Sequence, residues 1–167
     1  MSQTRATAAV VDFIASAAFS DIPSDALTIG RRCIADGIAV MLAGSTTPAS
    51  EILRAQVRED ASRAEATIVG RDSFRTRAAS AALVNATSGH AHDYDDTQLS
   101  TAADRIFGLL THPTIPPLAA SMAIGERLGV SGRTMLEAFL VGFGSSARLP
   151  TRLTRRITSR AFTPPAR

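Results

Sequence analysis

The 167-residue chain has no lysine, no tryptophan, one cysteine, one tyrosine and only 5% aromatic residues. A single cysteine, Cys33, excludes an internal disulfide, and its place among apolar residues at helical spacing makes it a packing residue rather than a reactive thiol. No apolar run approaches the ~20 residues that cross a bilayer, and the N-terminus lacks a basic region followed by an apolar one and a cleavage site. These absences predict a cytoplasmic protein without a membrane span.

The residues present describe a globular chain. An apolar share of 45% and a charged share of 20% suit one domain with its own core, and alanine and other small residues dominate. The net charge of +3 conceals a division. Residues 1–144 carry twelve arginines against fifteen acids, whereas residues 145–167 carry six arginines and no acid. A basic tail is ordinarily a candidate for nucleic acid or a membrane surface. This one has neither a helical face nor interleaved aromatics, so neither partner is expected.

Apolar spacing is helical almost throughout. A first helix from about Thr4 to Phe19 aligns Val11, Ile14, Ala15 and Ala18, and Asp21-Ile22-Pro23-Ser24 breaks it and starts a second. The second carries Leu27, Cys33, Ile34, Ile38 and Met41 and stops at Gly44, and a third runs from Pro48 or Ala49 to about Ser62. Ala66–Gly70 reads as the one short strand, and an alanine-rich helix is predicted from about Phe74 to Ser88. Pro116-Pro117 opens a helix that Gly129 closes, and Ser131 is a fitting N-cap for a last helix through Leu136, Phe139, Leu140 and Val141. The fold class is therefore an all-α bundle.

Between Gly89 and Pro113 the chain collects its chemistry. His90, His92, Asp93, Asp95, Asp96 and Thr97 crowd together, and His112-Pro113 follows. Adjacent carboxylates repel and raise one another's pKa, so such a cluster is costly unless used. Three readings stand side by side: a solvated polar loop whose acids cap a helix, a zinc, iron or manganese site, and metal-free acid–base catalysis with His112 folded back on the acids. The spacing matches no metalloprotease or calcium-loop motif. Pro113 confines His112 to extended backbone, which leaves the ring outside the following helix and free to exchange protons near neutral pH. Gln98–Leu110 is long enough to form a lid over the cluster.

The run Leu83-Val84-Asn85, then Gly89-His90-Ala91-His92-Asp93-Tyr94-Asp95-Asp96-Thr97, then His112-Pro113-Thr114 with an alanine-rich helix behind it, resembles the MmgE/PrpD family. The likeness extends over about residues 5–143, and that family includes 2-methylcitrate dehydratase, cis-aconitate decarboxylase and iminodisuccinate epimerase. It implies the N-terminal helical domain of a longer enzyme, with the smaller C-terminal domain missing. It implies a lyase or isomerase of small di- or tricarboxylates, with no metal or organic cofactor, built as a homodimer. On the matching positions Asp93 tunes or orients a proton donor, Thr97 binds a substrate carboxylate, and His112 is the acid–base or substrate-contacting group. Asp95 and Asp96 match the motif as loop-shaping residues. The stretch between Thr97 and His112 is longer than in many members, which bears on lid and substrate size.

The resemblance ends near Gly144, which sets the expected boundary between a helical domain, 1–143, and an irregular basic tail, 144–167. Taking the third base of each codon with the first two of the next, Leu149 to Arg167 can encode A-D-A-L-D-P-A-H-Y-Q-S-G-F-H-A-T-G-T. That string resembles the segment that follows in the family, with its His-Tyr and Gly-Phe-His elements. Arginine in place of every lysine fits the G- and C-rich codons required. The tail is thus expected to be frameshifted, and the chain an inactive fragment of its parent enzyme; the alternative is a helical protein that binds a polycarboxylate or another partner without catalysis.

Overall fold

The computed structural model describes residues 4–60, 63–97 and 112–145. The expected lid at Gln98–Leu110 and nearly all of the basic tail lie outside the described residues. Helix α1 spans Thr4–Ser16, and a 3-10 turn at Phe19–Asp21 leads into α2, Ser24–Gly44. Pro48, at the first position of α3 (Pro48–Glu59), suits a helix start, where its missing N–H costs nothing. Strands β1 (Ala66–Ile68) and β2 (Phe74–Thr76) precede α4 (Ala78–His90), α5 (Ile115–Leu128) and α6 (132–145). Among the described residues no helix is long and apolar enough to cross a membrane.

One predicted boundary is corrected. Phe74 does not open a helix; Phe74–Thr76 pairs antiparallel with Ala66–Ile68, in the register Ala66 with Thr76, Thr67 with Arg75 and Ile68 with Phe74. Phe, Arg and Thr suit a pleated, half-buried surface, and the Glu65 carboxylate accepts the Ala78 N–H at 3.1 Å, which starts α4 two residues after the strand. The edge of β1 is closed by side chains. Asn85 of α4 accepts the Val69 N–H at 2.8 Å and donates to the Thr67 carbonyl at 2.9 Å, while Glu126 of α5 accepts from the Thr67 N–H and hydroxyl at 3.1 and 2.7 Å. A two-stranded hairpin is marginal alone, and these bonds fasten it to the helices.

Helix α4 is the centre, packed by α2, α3, α5 and the hairpin. Its lack of a polar stripe follows from that position: Ala78, Ala81, Val84, Asn85, Ser88 and Gly89 are all buried. Small residues let the backbones approach. A Cβ on Gly44 would collide with the Ser88 carbonyl oxygen, and one on Gly89 would meet Ile115 at 2.8 Å. The apolar core lies on two sides of α4, with Val57, Ile68, Ala81, Val84 and Ala123 on one and Met41, Ile115, Leu118, Leu136 and Phe139 on the other. Cys33 packs half-buried against the second group, as expected, and burial raises its thiol pKa.

Packing carries α4 and α5 to the place where the end of one meets the start of the other. His90 closes α4, and His112 lies three residues before α5 begins.

Candidate active site

The site begins with the way α4 ends. The Ala91 N–H returns to the Ser88 carbonyl at 3.4 Å and the Asp93 N–H to that of His90 at 3.0 Å, with Asp93 left-handed at φ 56°. Aspartate tolerates that conformation better than most residues, and it folds the chain back sharply enough for Asp95 to face His90. Asp95 Oδ1 lies 2.9 Å from His90 Nδ1. Two residues on, Thr97 is exposed.

The second strand of the loop is held by Asp96. Its Oδ1 accepts the Thr114 N–H at 3.2 Å and its Oδ2 the Thr114 hydroxyl at 2.8 Å. Thr114 is the N-cap of α5 but bonds none of the helix's own N–H groups through its side chain, so a carboxylate from another segment occupies the positive end of this helix.

His112 thereby returns to the acids. Its Nδ1 is 3.3 Å from Asp95 Oδ2, its Nε2 is 3.6 Å from Asp93 Oδ1, and its ring meets that of His90 edge to face at 4.5 Å between centroids. The Asp95 side chain is 2% exposed, that of His112 28% and that of Asp93 77%. One buried carboxylate thus backs two imidazoles, and an exposed one faces the outer nitrogen of His112. The hydrogen bond to Asp95 holds the His90 pKa above the ordinary histidine value; partial burial opposes the rise, and the charges of Asp95 and Asp93 add to it.

The structure brings Asp93 and His112 together, leaves Thr97 exposed at the margin, and places two residues that sequence reasoning undervalued, Asp95 and His90, at the centre. The available signal was the His90–Asp95 spacing, five residues across a helix end followed by a turn. His92 is drawn aside, its ring stacked on Tyr94 at 5.2 Å.

His90, Asp93, Asp95 and His112 each offer a donor atom within 4.8 Å of the others, and imidazoles with carboxylates suit zinc, iron or manganese. As they stand, two of these donors are engaged with each other. Donors on a tetrahedral ion with arms of ~2.0 Å stand ~3.3 Å apart. His90 Nδ1 and Asp95 Oδ1 are closer, at 2.9 Å, and already joined by a hydrogen bond. The arrangement is one of imidazoles against carboxylates, suited to holding and passing protons.

The model of the MmgE/PrpD N-terminal domain matches residues 8–162. The chain belongs to the MmgE/PrpD family. The matched range includes most of the arginine-rich tail, all but the first four residues of α1, and the whole of α2 to α6. No curated protein and no solved structure matches the chain. The mostly helical architecture is that of the family's N-terminal domain.

Proposed function

We propose that this chain carries one half of the active site of a lyase or isomerase that moves a proton beside a carboxylate of a small di- or tricarboxylate. The observation that carries the reading is the return of His112 to Asp93 and Asp95 at 3.6 and 3.3 Å. In it His112 Nε2 exchanges the proton, the carboxylates offset the charge when the ring is protonated, and Thr97 hydrogen-bonds a substrate carboxylate. No metal or organic cofactor is needed for such a step, because an imidazole titrates near neutral pH by itself.

The chain as translated is proposed to be inactive. Residues beyond Gly144 are read as the product of a shifted frame, so that the His-Tyr and Gly-Phe-His elements encoded in the other frame are not available to this chain's site. Catalytic groups that act as a unit lose most of their effect when one is removed.

The test is a pair of proteins. The chain itself should be blank in dehydratase, decarboxylase and epimerase assays on small polycarboxylates, and the gene read with its frame restored beyond codon 143 should yield turnover. His112→Ala in the restored enzyme should lower kcat by ~100-fold or more, the usual size of an acid–base contribution. Full activity in that variant would refute the assignment. Binding of citrate by the unrestored chain without turnover would favour a binding protein.

A further inference from the structure

Asp95 has an uncommon position for a carboxylate. Its side chain is almost wholly enclosed, yet among the described residues no arginine pairs with it, and there is no lysine in the chain. Its two oxygens are divided between two rings: Oδ1 takes the hydrogen bond from His90 Nδ1, and Oδ2 lies 3.3 Å from His112 Nδ1, an ion-pair contact that is not aligned as a hydrogen bond and leaves both buried atoms without a hydrogen-bond partner among the described residues. A buried charge without a partner costs several kcal/mol, so the proton on His112 belongs on the nitrogen that faces this carboxylate.

We infer that Asp95 is the positioning residue of the site, holding His90 and His112 by their Nδ1 atoms so that both rings carry a proton there and turn Nε2 outward. This rests on the reading of His112 as the proton-exchanging group and adds what prepares it for that work. A neutral imidazole can present a lone pair at only one nitrogen, and the hydrogen bond made by the other decides which. With Nδ1–H directed at Asp95, the basic Nε2 faces the exposed Asp93. When that nitrogen takes a proton, the ring lies between two carboxylates. His90 shares the same buried carboxylate, so the two rings are held by one group. Among the described residues the charged groups around the pair are Asp93 and Asp95 on the turn after α4, with Asp96 held away by Thr114 at the start of α5.

Long-range proton–nitrogen NMR of the 15N-labelled chain, in solution or by magic-angle spinning if the chain sediments, reads the tautomers directly. The expected result is a neutral His112 with a protonated Nδ1 and a bare Nε2, and the same for His90. In Asp95→Asn the carboxamide cannot serve both rings as an anion. There His90 should titrate at the ordinary histidine value, and at least one ring should shift toward the Nε2–H form. A wild-type His112 protonated on Nε2 would overturn the inference, and that measurement does not depend on whether the variant folds. Unchanged tautomers in an Asp95→Asn chain with a native circular dichroism spectrum would also overturn it. Saturable one-to-one zinc binding lost in that variant would overturn it too, by giving the second oxygen to a metal. Citrate binding or restored-frame turnover with the wrong tautomer would sink this inference and leave the proposed function standing.

Discussion

Asp96 holds Thr114 twice, by its backbone N–H at 3.2 Å and its hydroxyl at 2.8 Å, across eighteen positions of sequence. This bond fixes the distance between the turn that carries Asp93 and Asp95 and the start of α5, and so sets where His112 stands.

Removing the clamp should loosen the site and the helix start together. Asp96→Ala is expected to lose ~1–2 kcal/mol of stability, the usual cost of a helix cap. Thermal unfolding followed by circular dichroism checks this. Asp96→Asn keeps an acceptor and should recover part of the loss, and an Asp96→Ala chain that melts with the wild type would show that the clamp has no hold on α5.

His90 should make stability depend on pH in one direction. Its folded pKa lies above the ordinary value of ~6.5, so its contribution is complete below ~6.5 and is lost as pH rises through the raised folded value. Urea midpoints between pH 5 and pH 8, compared for wild type and His90→Gln, should converge toward the alkaline end. The ring is about half exposed, which makes the effect small. A difference that grows with pH would have the wrong sign.

Arg54 should resist conservative replacement. The residue is 7% exposed, and its guanidinium donates to the carbonyls of Val69, Arg71 and Asp72 beneath the hairpin connection, where Gly70 and Asp72 have positive φ. A planar fork spans three carbonyls and a lysine ammonium does not. Arg54→Lys and Arg54→Ala should both cost ~1–3 kcal/mol by leaving part-buried carbonyls unpaired. A lysine variant with wild-type urea stability would disprove this account.

Gly44 should tolerate no side chain. The first obstacle to a Cβ is the backbone carbonyl of Ser88, which cannot rotate aside, so Gly44→Ala must push α2 from α4. Overpacking of this kind costs ~1–3 kcal/mol. The same displacement should disturb the His90 ring two residues on, seen as a shift of its NMR signals. A neutral Gly44→Ala would mean that the two helices sit further apart than described.

The chain should associate with itself. Val11 and Ile14 of α1, Ile29 of α2, Ile52 of α3 and Leu83 of α4 are each at least half exposed, and exposed apolar faces on several helices favour self-association. Light scattering should find oligomers or aggregates, and a monodisperse monomer would count against it.

Much of this fold was legible because helix signals are local. Pro48, Pro116, Gly129 and Ser131 act on the residues beside them, and Ser131 does accept the Thr134 N–H at 3.2 Å as an N-cap. The hairpin was half legible. Ala66–Ile68 has strand composition by itself, whereas Phe74–Thr76 becomes a strand only because β1, Asn85 and Glu126 lie where they do.

The site divides the same way. Order along the chain determined which residue types gather after α4, that His112 stands outside a helix, and that the motif belongs to a family, since each is a matter of adjacent residues and of steric limits on neighbouring bonds. Which carboxylate is buried, which imidazole joins it and which turns away to stack on Tyr94 was decided only by tertiary structure. Those outcomes depend on glycine-to-backbone approaches and on one long-range clamp between Asp96 and Thr114, and interactions between groups distant in sequence leave no periodic trace in it.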